Sequence, residues 1–404
     1  MNAPPPLASL RQRFPALADG SLAPLDNAAT THRPQAVLDA LARFYVESNA
    51  NVHRANHRLG AAATAAYEGA RRRVARFLGA QAEEVVFTRN ATEGINLVAR
   101  GFLEARLQAG QSVCVSRLEH HSNLVPWQEL CKRTGARLHW LEIDDHARLA
   151  PPFEFPDDAA FVACTRVSNA VGTIVDTTAL VRAAHARELP VLLDITQAAG
   201  HLPLDEGTRE ADFLALSAHK MYGPMGLGVL VGRGERLAQI EPQLFGGEMV
   251  ESVSAEGARF RDPPWRLEAG TPAVAPAAAF VPALDLLDEF GVEAIRAHEL
   301  ELLQRLLDGL AAIDSVSVVG PASAAERSGA VSLALGGADA HTVGTILDMA
   351  GVAVRAGFHC AEPLLRQIGC GPTLRASVAA YSNTHDVDRF LAALPEAVEA
   401  ARFS

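Results

Sequence analysis

Cysteine is scarce in this chain, and its distribution excludes two common uses of it. The five residues, Cys114, Cys131, Cys164, Cys360 and Cys370, are odd in number and include no Cys-x-x-Cys pair. That argues against a disulfide framework and against a zinc site, so no metal is expected. A reducing cytoplasm fits the pattern. Long apolar runs are missing too: no stretch offers the roughly 18 uninterrupted apolar residues of a membrane-spanning helix. Pro4, Pro5 and Pro6 stand where a secretory signal needs its apolar segment. Neither export nor membrane insertion is expected. Runs of one charge are also lacking. The formal net charge of -11 comes from residues scattered along the chain, with no acidic tail, so no nucleic-acid surface is expected. The one basic cluster, Arg71-Arg72-Arg73, reads as a solvated helix face.

What is present is the substance of a large globular protein. A chain of 404 residues with 49% hydrophobic and 21% charged residues can bury a substantial core and favours two domains. From about residue 60 to 235, short apolar runs alternate with helical patterns, the habit of an α/β unit with a mainly parallel sheet. Expected strands are 84–88, 112–116, 161–165, 191–194, 213–217 and 228–231. Several are apolar throughout, as strands covered on both faces should be. Residues 68–78 and 178–188 between them have helical periodicity. Beyond residue 280 come two helices, short strands at 316–319 and 331–335, and a final helix over 387–401. These suggest a smaller α+β domain. The expected division is an N-terminal segment 1–22 joining the small domain, a large domain 23–283 and a small domain 284–404.

In an open α/β sheet the ligand crevice lies beyond the carboxyl ends of the strands, so the polar residues there are the candidates for chemistry. After the first strand, Asn90-Ala91-Thr92-Glu93-Gly94 opens a helix whose free N–H groups suit a phosphate, although such a start is more often only a cap. Asp194 ends a wholly apolar strand, where a carboxylate needs a cationic or donor partner; Gln197 follows three residues on. Ser217, His219 and Lys220 close the next strand ahead of the turn Tyr222-Gly223-Pro224-Met225-Gly226. A strand-end lysine is usually surface. Together with a phosphate-binding helix start and a strand-end Asp, it makes a site for pyridoxal phosphate.

At this point the chain resembles the group II cysteine desulfurases, the selenocysteine lyase-like members of the class V aminotransferases. The resemblance rests on ordered blocks along most of the chain: Leu25-Asp26-Asn27-Ala28-Ala29-Thr30-Thr31, Asn51-Val52-His53-Arg54, Thr92-Glu93-Gly94-Ile95-Asn96, Glu119-His120-His121-Ser122-Asn123, Ser217-Ala218-His219-Lys220, Gly246-Gly247-Glu248-Met249, Glu268-Ala269-Gly270-Thr271-Pro272 and Arg375-Ala376-Ser377. It implies a homodimeric fold-type I enzyme with pyridoxal 5'-phosphate as a Schiff base on Lys220. By the same resemblance His120 stacks on the pyridine ring, Asp194 meets its nitrogen and Gln197 its phenolic oxygen. Thr92, Ser217 and His219 bind the phosphate, joined by Thr271 from the second subunit. Arg375 takes the substrate carboxylate with help from Asn169 and Arg355, and His53 and Arg54 line the entrance.

The reaction turns on Cys360. Cys114 and Cys164 in strands and Cys131 on a helix read as small buried hydrophobes. Cys360 lies beside His359, which could exchange its proton, in a short loop containing Gly357, and so suits a nucleophile. Cys370, between two glycines, is the rival on residues alone, and the resemblance favours Cys360. The implied activity converts L-cysteine to L-alanine, with the sulfur passing to Cys360 as a persulfide and on to an acceptor protein or thiol. Aminotransferase, epimerase or selenocysteine lyase activity on the same fold is the alternative, and a non-catalytic binding protein a remote one. The chain departs from the family pattern at Phe358, Ile195-Thr196, Arg166 and Ala170-Val171.

Overall fold

The computed structural model describes residues 5–54 and 56–402. Residues 1–4 of the expected N-terminal segment and 403–404 of the small domain lie outside the described residues. Seven strands form the central sheet: β1 (Val85–Thr88), β2 (Ser112–Ser116), β3 (Arg137–Leu141), β4 (Ala159–Thr165), β5 (Val191–Asp194), β6 (Phe213–Ser217) and β7 (Gly228–Gly232). Their spatial order is β1-β7-β6-β5-β4-β2-β3. All pairings are parallel except those of β7 with β1 and β6. Every residue of β1, β2, β5, β6 and β7 is buried, which explains their unbroken apolar character. The edge strand β3, Arg-Leu-His-Trp-Leu, is largely half-exposed. Its polar residues hide it from a search for apolar runs.

A second sheet of four antiparallel strands, β8 (Ser317–Val319), β9 (Ala330–Ala334), β10 (Arg355–Gly357) and β11 (Thr373–Ser377), runs in the order β8-β9-β11-β10. It carries its own hydrophobic core with the helices Ala340–Met349 and Thr384–Arg402. Residue 283, where the sequence suggests the division, lies inside the helix Val274–Phe290, whose Phe280, Leu284 and Leu287 belong to the large core. Core membership changes within the next helix, Val292–Ala311: Ile295 is in the large core and Leu302 in the small one. The N-terminal residues Leu10, Phe14 and Leu17 pack on the large core. The chain then turns to the small domain, where Ala23 and Pro24 pair with Val352 and Ala353.

The basic cluster is not a solvated face. Arg72 is exposed, but Arg71 and Arg73 are buried on the helix Arg58–Leu78. Arg71 donates to both carboxylate oxygens of Glu268, at 2.7 and 2.9 Å, to Glu68 and to the carbonyl of Val85. Arg73 grips Asp285 and Asp288 of the Val274–Phe290 helix. Glu268, Asp285 and Asp288 lie some 200 positions away, beyond the reach of local periodicity. Replacing Arg71 with Ala leaves Glu268 buried and without its cation, a loss expected to cost about 3–5 kcal/mol. Arg71→Lys recovers only part, because an ammonium cannot reproduce the two-pronged contact. Denaturant unfolding of both variants measures this, and a loss under about 1 kcal/mol would place the pair with ordinary surface bridges.

Candidate active site

The carboxyl ends of β1, β2, β4, β5 and β6 point the same way, and a cavity of about 260 Å³ opens beyond them. Eight of the sequence-predicted residues line it: Thr92, His120, Asn169, Asp194, Gln197, Ser217, His219 and Lys220. The helix over the cavity begins at Ala91 because Asn90 caps it, accepting from Glu93 N at 3.0 Å. Ser217 Oγ accepts from Ala91 N at 2.9 Å, tying the end of β6 to that start. Thr92 Oγ1 donates to Ser122 Oγ at 2.8 Å, so two hydroxyls stand side by side at the rim.

Burial governs the charge state of every titratable group here. Lys220 Nζ donates to the carbonyl of Ala28; burial and then the charge of Arg375 depress it to about 7, against the pull of Asp194. His120 is driven down to about 4 by burial and by Lys220. Its Nδ1 accepts from Ser122 N at 3.0 Å, so the neutral ring carries its proton on Nε2. His219, whose Nδ1 lies 3.1 Å from Thr30 Oγ1, is likewise lowered to about 4 by burial first and Lys220 second. Asp194 is raised by burial against hydrogen bonding from Thr196, whose N donates to its carboxylate at 2.9 Å.

These facts test the fit of pyridoxal phosphate. A buried carboxylate hydrogen-bonded by Thr196 calls for a cationic partner in the cavity, which a protonated pyridine nitrogen supplies. A buried amine near neutrality suits carbonyl chemistry. Hydroxyls beside a helix start suit a phosphate. The cavity residues therefore fit the group. A signal in the sequence adds to this: the chain has two lysines, and Lys132 lies on an exposed helix face beside Glu129.

The remaining candidates lie outside the cavity wall. Arg375 is buried beside it, donating to the carbonyl of Asn169 at 2.8 Å, with no partner for its Nε among the described residues. Arg355 faces Arg375 across the β10/β11 ladder, and both approach Asp26. Thr271 lines a separate depression with Glu268. His53 is held between Glu68 and Glu248, and Arg54 is exposed and donates to the carbonyl of Val250.

Cys360 is exposed, whereas Cys114, Cys131 and Cys164 are buried and Cys370 is half-buried. His359 and Cys360 both take positive φ, 52° and 55°. The loop is fastened to the large domain by His121 N donating to Cys360 O at 2.7 Å and by Asn169 Nδ2 donating to His359 O at 2.6 Å. The His359 ring is turned inward instead of serving the thiol: its Nε2 meets Thr373 Oγ1 at 2.8 Å, and burial, Arg375 and Arg355 lower it to about 3. Of the departures from the family pattern, Arg166 points away to the carbonyl of Pro203 and Asp205, whereas Thr196 lines the cavity.

Sequence reasoning quoted Glu119 without a role. It is wholly buried and accepts from Ser116 Oγ, Thr165 N and Asn123 Nδ2, joining the ends of β2 and β4 to the His120 turn. Burial raises its carboxyl to about 8 against these hydrogen bonds.

The model of the Aminotransferase class-V family matches residues 24–390. A probable cysteine desulfurase of Streptomyces coelicolor is 42% identical, with 94% of each chain covered. A cysteine desulfurase of Haloferax volcanii is 41% identical over 94% of this chain and 89% of its own. Among solved structures, the apo cysteine desulfurase of Thermococcus onnurineus superposes with a TM-score of 0.92 at 36% identity, with 99% of both chains covered. The cysteine desulfurase CsdA of Escherichia coli does so with 0.88 at 36% identity, over 99% of this chain and all of its own. The fold and the strand-end cavity with its single lysine thus accompany similarity over nearly the full length, and the chain belongs to the cysteine desulfurases of the class-V aminotransferase family.

Proposed function

We propose that this protein is a cysteine desulfurase: with pyridoxal 5'-phosphate it converts L-cysteine to L-alanine and takes the sulfur onto Cys360 as a persulfide. The observation that carries the assignment of the thiol is its setting. Cys360 is exposed in a left-handed turn whose backbone is hydrogen-bonded to His121 and Asn169 at the edge of the Lys220 cavity. Transamination and epimerisation need no such thiol.

Lys220 would be the point of attachment of the cofactor, with Thr92, Ser217 and His219 around its phosphate, Asp194 and Gln197 at its ring polar atoms and His120 on its ring face. Thr271 of the partner subunit would complete the phosphate site in a homodimer. When bound, the cofactor supplies an electron sink for the charge left at the substrate α-carbon. Lys220, depressed to about 7, is substantially unprotonated at neutral pH, so it can accept the α-proton and return it. Arg375, assisted by Arg355 and Asn169, anchors the substrate carboxylate. Both arginines also lie near enough to Cys360 to respond to its charge.

The Cys360 thiolate attacks the substrate sulfur. A sulfur–sulfur bond forms as the carbon–sulfur bond breaks, and the released electron pair stays on the carbon skeleton, which is protonated to L-alanine. With the His359 ring turned to Thr373, the substrate's own thiol is left to exchange the Cys360 proton. The persulfide then passes to an acceptor protein or thiol. His53 and Arg54 are the entrance residues of this reading. Among the described residues no helix is long and apolar enough to cross a membrane; the five free cysteines suit a reducing cytoplasm.

Two measurements test these roles. Cys360→Ala should keep the visible absorption of the bound cofactor while alanine formation from L-cysteine falls by about 100-fold or more. L-Selenocysteine, with its weaker carbon–selenium bond, should be affected less, and Cys370→Ala should change either rate by less than about twofold. Desulfuration of L-cysteine by the Cys360 variant at the wild-type rate, or a persulfide located on Cys370 by mass spectrometry, would overturn the assignment.

The second concerns Lys220. Burial and Arg375 disfavour its charged form, so its amine is protected below the midpoint and reactive above it. In cofactor-free protein, acetylation of the Lys220 peptide should rise with a midpoint near pH 7. A midpoint near the ordinary lysine value of about 10.4 would remove Lys220 as a neutral-pH base.

A further inference from the structure

Glu119 precedes His120 in the chain and is buried with it, and three donors converge on its carboxylate. Ser116 Oγ and, at 2.7 Å, Thr165 N meet Oε1; Asn123 Nδ2 meets Oε2 at 2.7 Å. The third donor is fixed from behind. Trp127 Nε1, which can only donate, bonds Asn123 Oδ1 at 3.0 Å, so the amide nitrogen of Asn123 must face Glu119. Asn123 and Trp127 are both fully buried, and neither can exchange these bonds for water. The order of donors and acceptors therefore runs one way, from Trp127 through Asn123 to Glu119. A carboxylate accepts at both oxygens, whereas the amide of a glutamine, of the same shape, accepts at one.

What this network holds is the turn His120-His121-Ser122-Asn123. Inside the turn, Asn123 N donates to His120 O at 2.8 Å, and Ser122 N donates to His120 Nδ1 at 3.0 Å, which orients the imidazole. Outward, Ser122 Oγ accepts from Thr92 Oγ1 at 2.8 Å, and His121 N donates to Cys360 O at 2.7 Å. One turn thus carries the ring-facing imidazole, a hydroxyl at the helix start and the peptide that fastens the Cys360 loop. Its internal bonds give it a shape but no fixed place against the sheet. Asn123 supplies that place through Glu119, which is itself held at the ends of β2 and β4 by Ser116 and Thr165. Thr165 also extends the chain of contacts to β5, its hydroxyl lying 3.4 Å from Asp194 O.

We propose that Glu119 is a positioning residue for the desulfuration: by accepting hydrogen bonds at both oxygens it fixes the turn that presents His120 to the cofactor ring and, through His121, the loop that presents Cys360 to the substrate. This rests on the reading of His120 as the ring's stacking partner and Cys360 as the sulfur acceptor. Ring and thiol then keep a set separation, because both are referred to one turn. A shift of that turn by about 1 Å is enough to cost a reacting pair about 100-fold in rate.

Visible circular dichroism of the bound cofactor and the kinetics of alanine formation, both at saturating cofactor, test this on the holoenzyme. Glu119→Gln keeps the shape but sets two donors against each other whichever way the new amide turns. Its dichroism should lose amplitude, and kcat should fall by about tenfold or more while KM changes by less than about threefold. Adding Asn123→Asp reverses the order of the network, since the new amide nitrogen then donates to the new carboxylate, which still accepts from Trp127. The double variant should regain the dichroism and a kcat within about threefold of wild type. A role in fold stability alone would lower the unfolding midpoint of Glu119→Gln and leave the folded holoenzyme with wild-type dichroism and kcat. That result would overturn the proposal, as would a double variant no better than Glu119→Gln. Should Glu119→Gln fail to fold or to retain cofactor, Asn123→Ala releases the turn alone and should move both readouts in the same direction; wild-type values there would count equally against it. His120→Ala separates the proposal from the reading beneath it. If its dichroism keeps the wild-type amplitude, the stacking reading fails and the proposal with it; if the amplitude is lost there but kept in Glu119→Gln, only the role given to Glu119 is wrong.

Discussion

An amine shut away from water beside a guanidinium cannot hold its proton as an exposed lysine does, and the site is arranged around that constraint. Lys220 loses solvation just past the end of β6 and feels the charge of Arg375, while Asp194 and Asp26 pull the other way. The outcome is an amine near the pH at which a base is useful. The same desolvation keeps His120 and His219 neutral, so the rings beside the amine add no positive charge. Had they been protonated, Lys220 would be driven lower still.

That arrangement depends on two domains meeting at fixed points. Residues 23–28 run along the small domain, pair with Ala353 and Ser377, and deliver Ala28 O to Lys220. In the opposite sense the loop at His359 and Cys360 leaves the small domain and is caught by Asn169 and His121 of the large one. In both contacts the acceptors are backbone carbonyls, of Ala28 on one side and of His359 and Cys360 on the other. They set position without constraining the side chains nearby, which leaves the Cys360 thiol exposed while its peptide is held.

Much of the framework was legible because it follows from local physics. Strands covered on both faces must be apolar throughout, so β2, β5 and β6 could be located to the residue, and the polar residues that end them marked the crevice. The edge strand β3 escaped because half-exposure admits Arg137 and His139. The expected helix over 178–188 ends at His185, ahead of the positive φ of Glu188, a feature that periodicity does not register. Glu119 stood in a quoted motif with no role, because its partners Ser116, Asn123 and Thr165 come together only when β2 and β4 pair with the same sheet.

The sequence by itself determined the alternating pattern that builds the sheet, the family blocks, and the short list Thr92, His120, Asp194, Gln197, Ser217, His219 and Lys220 that now lines one cavity. Only the tertiary structure decided how those groups are charged, where the His359 ring points, that Arg71 and Arg73 are buried ion pairs, and that Asp26 lies between Arg355 and Arg375. The division has a physical reason. Backbone pairing and apolar periodicity act between near neighbours and can be read along the chain. Desolvation and charge pairing depend on groups as far apart in sequence as Asp26 and Arg375, whose distance exists only once the chain has folded.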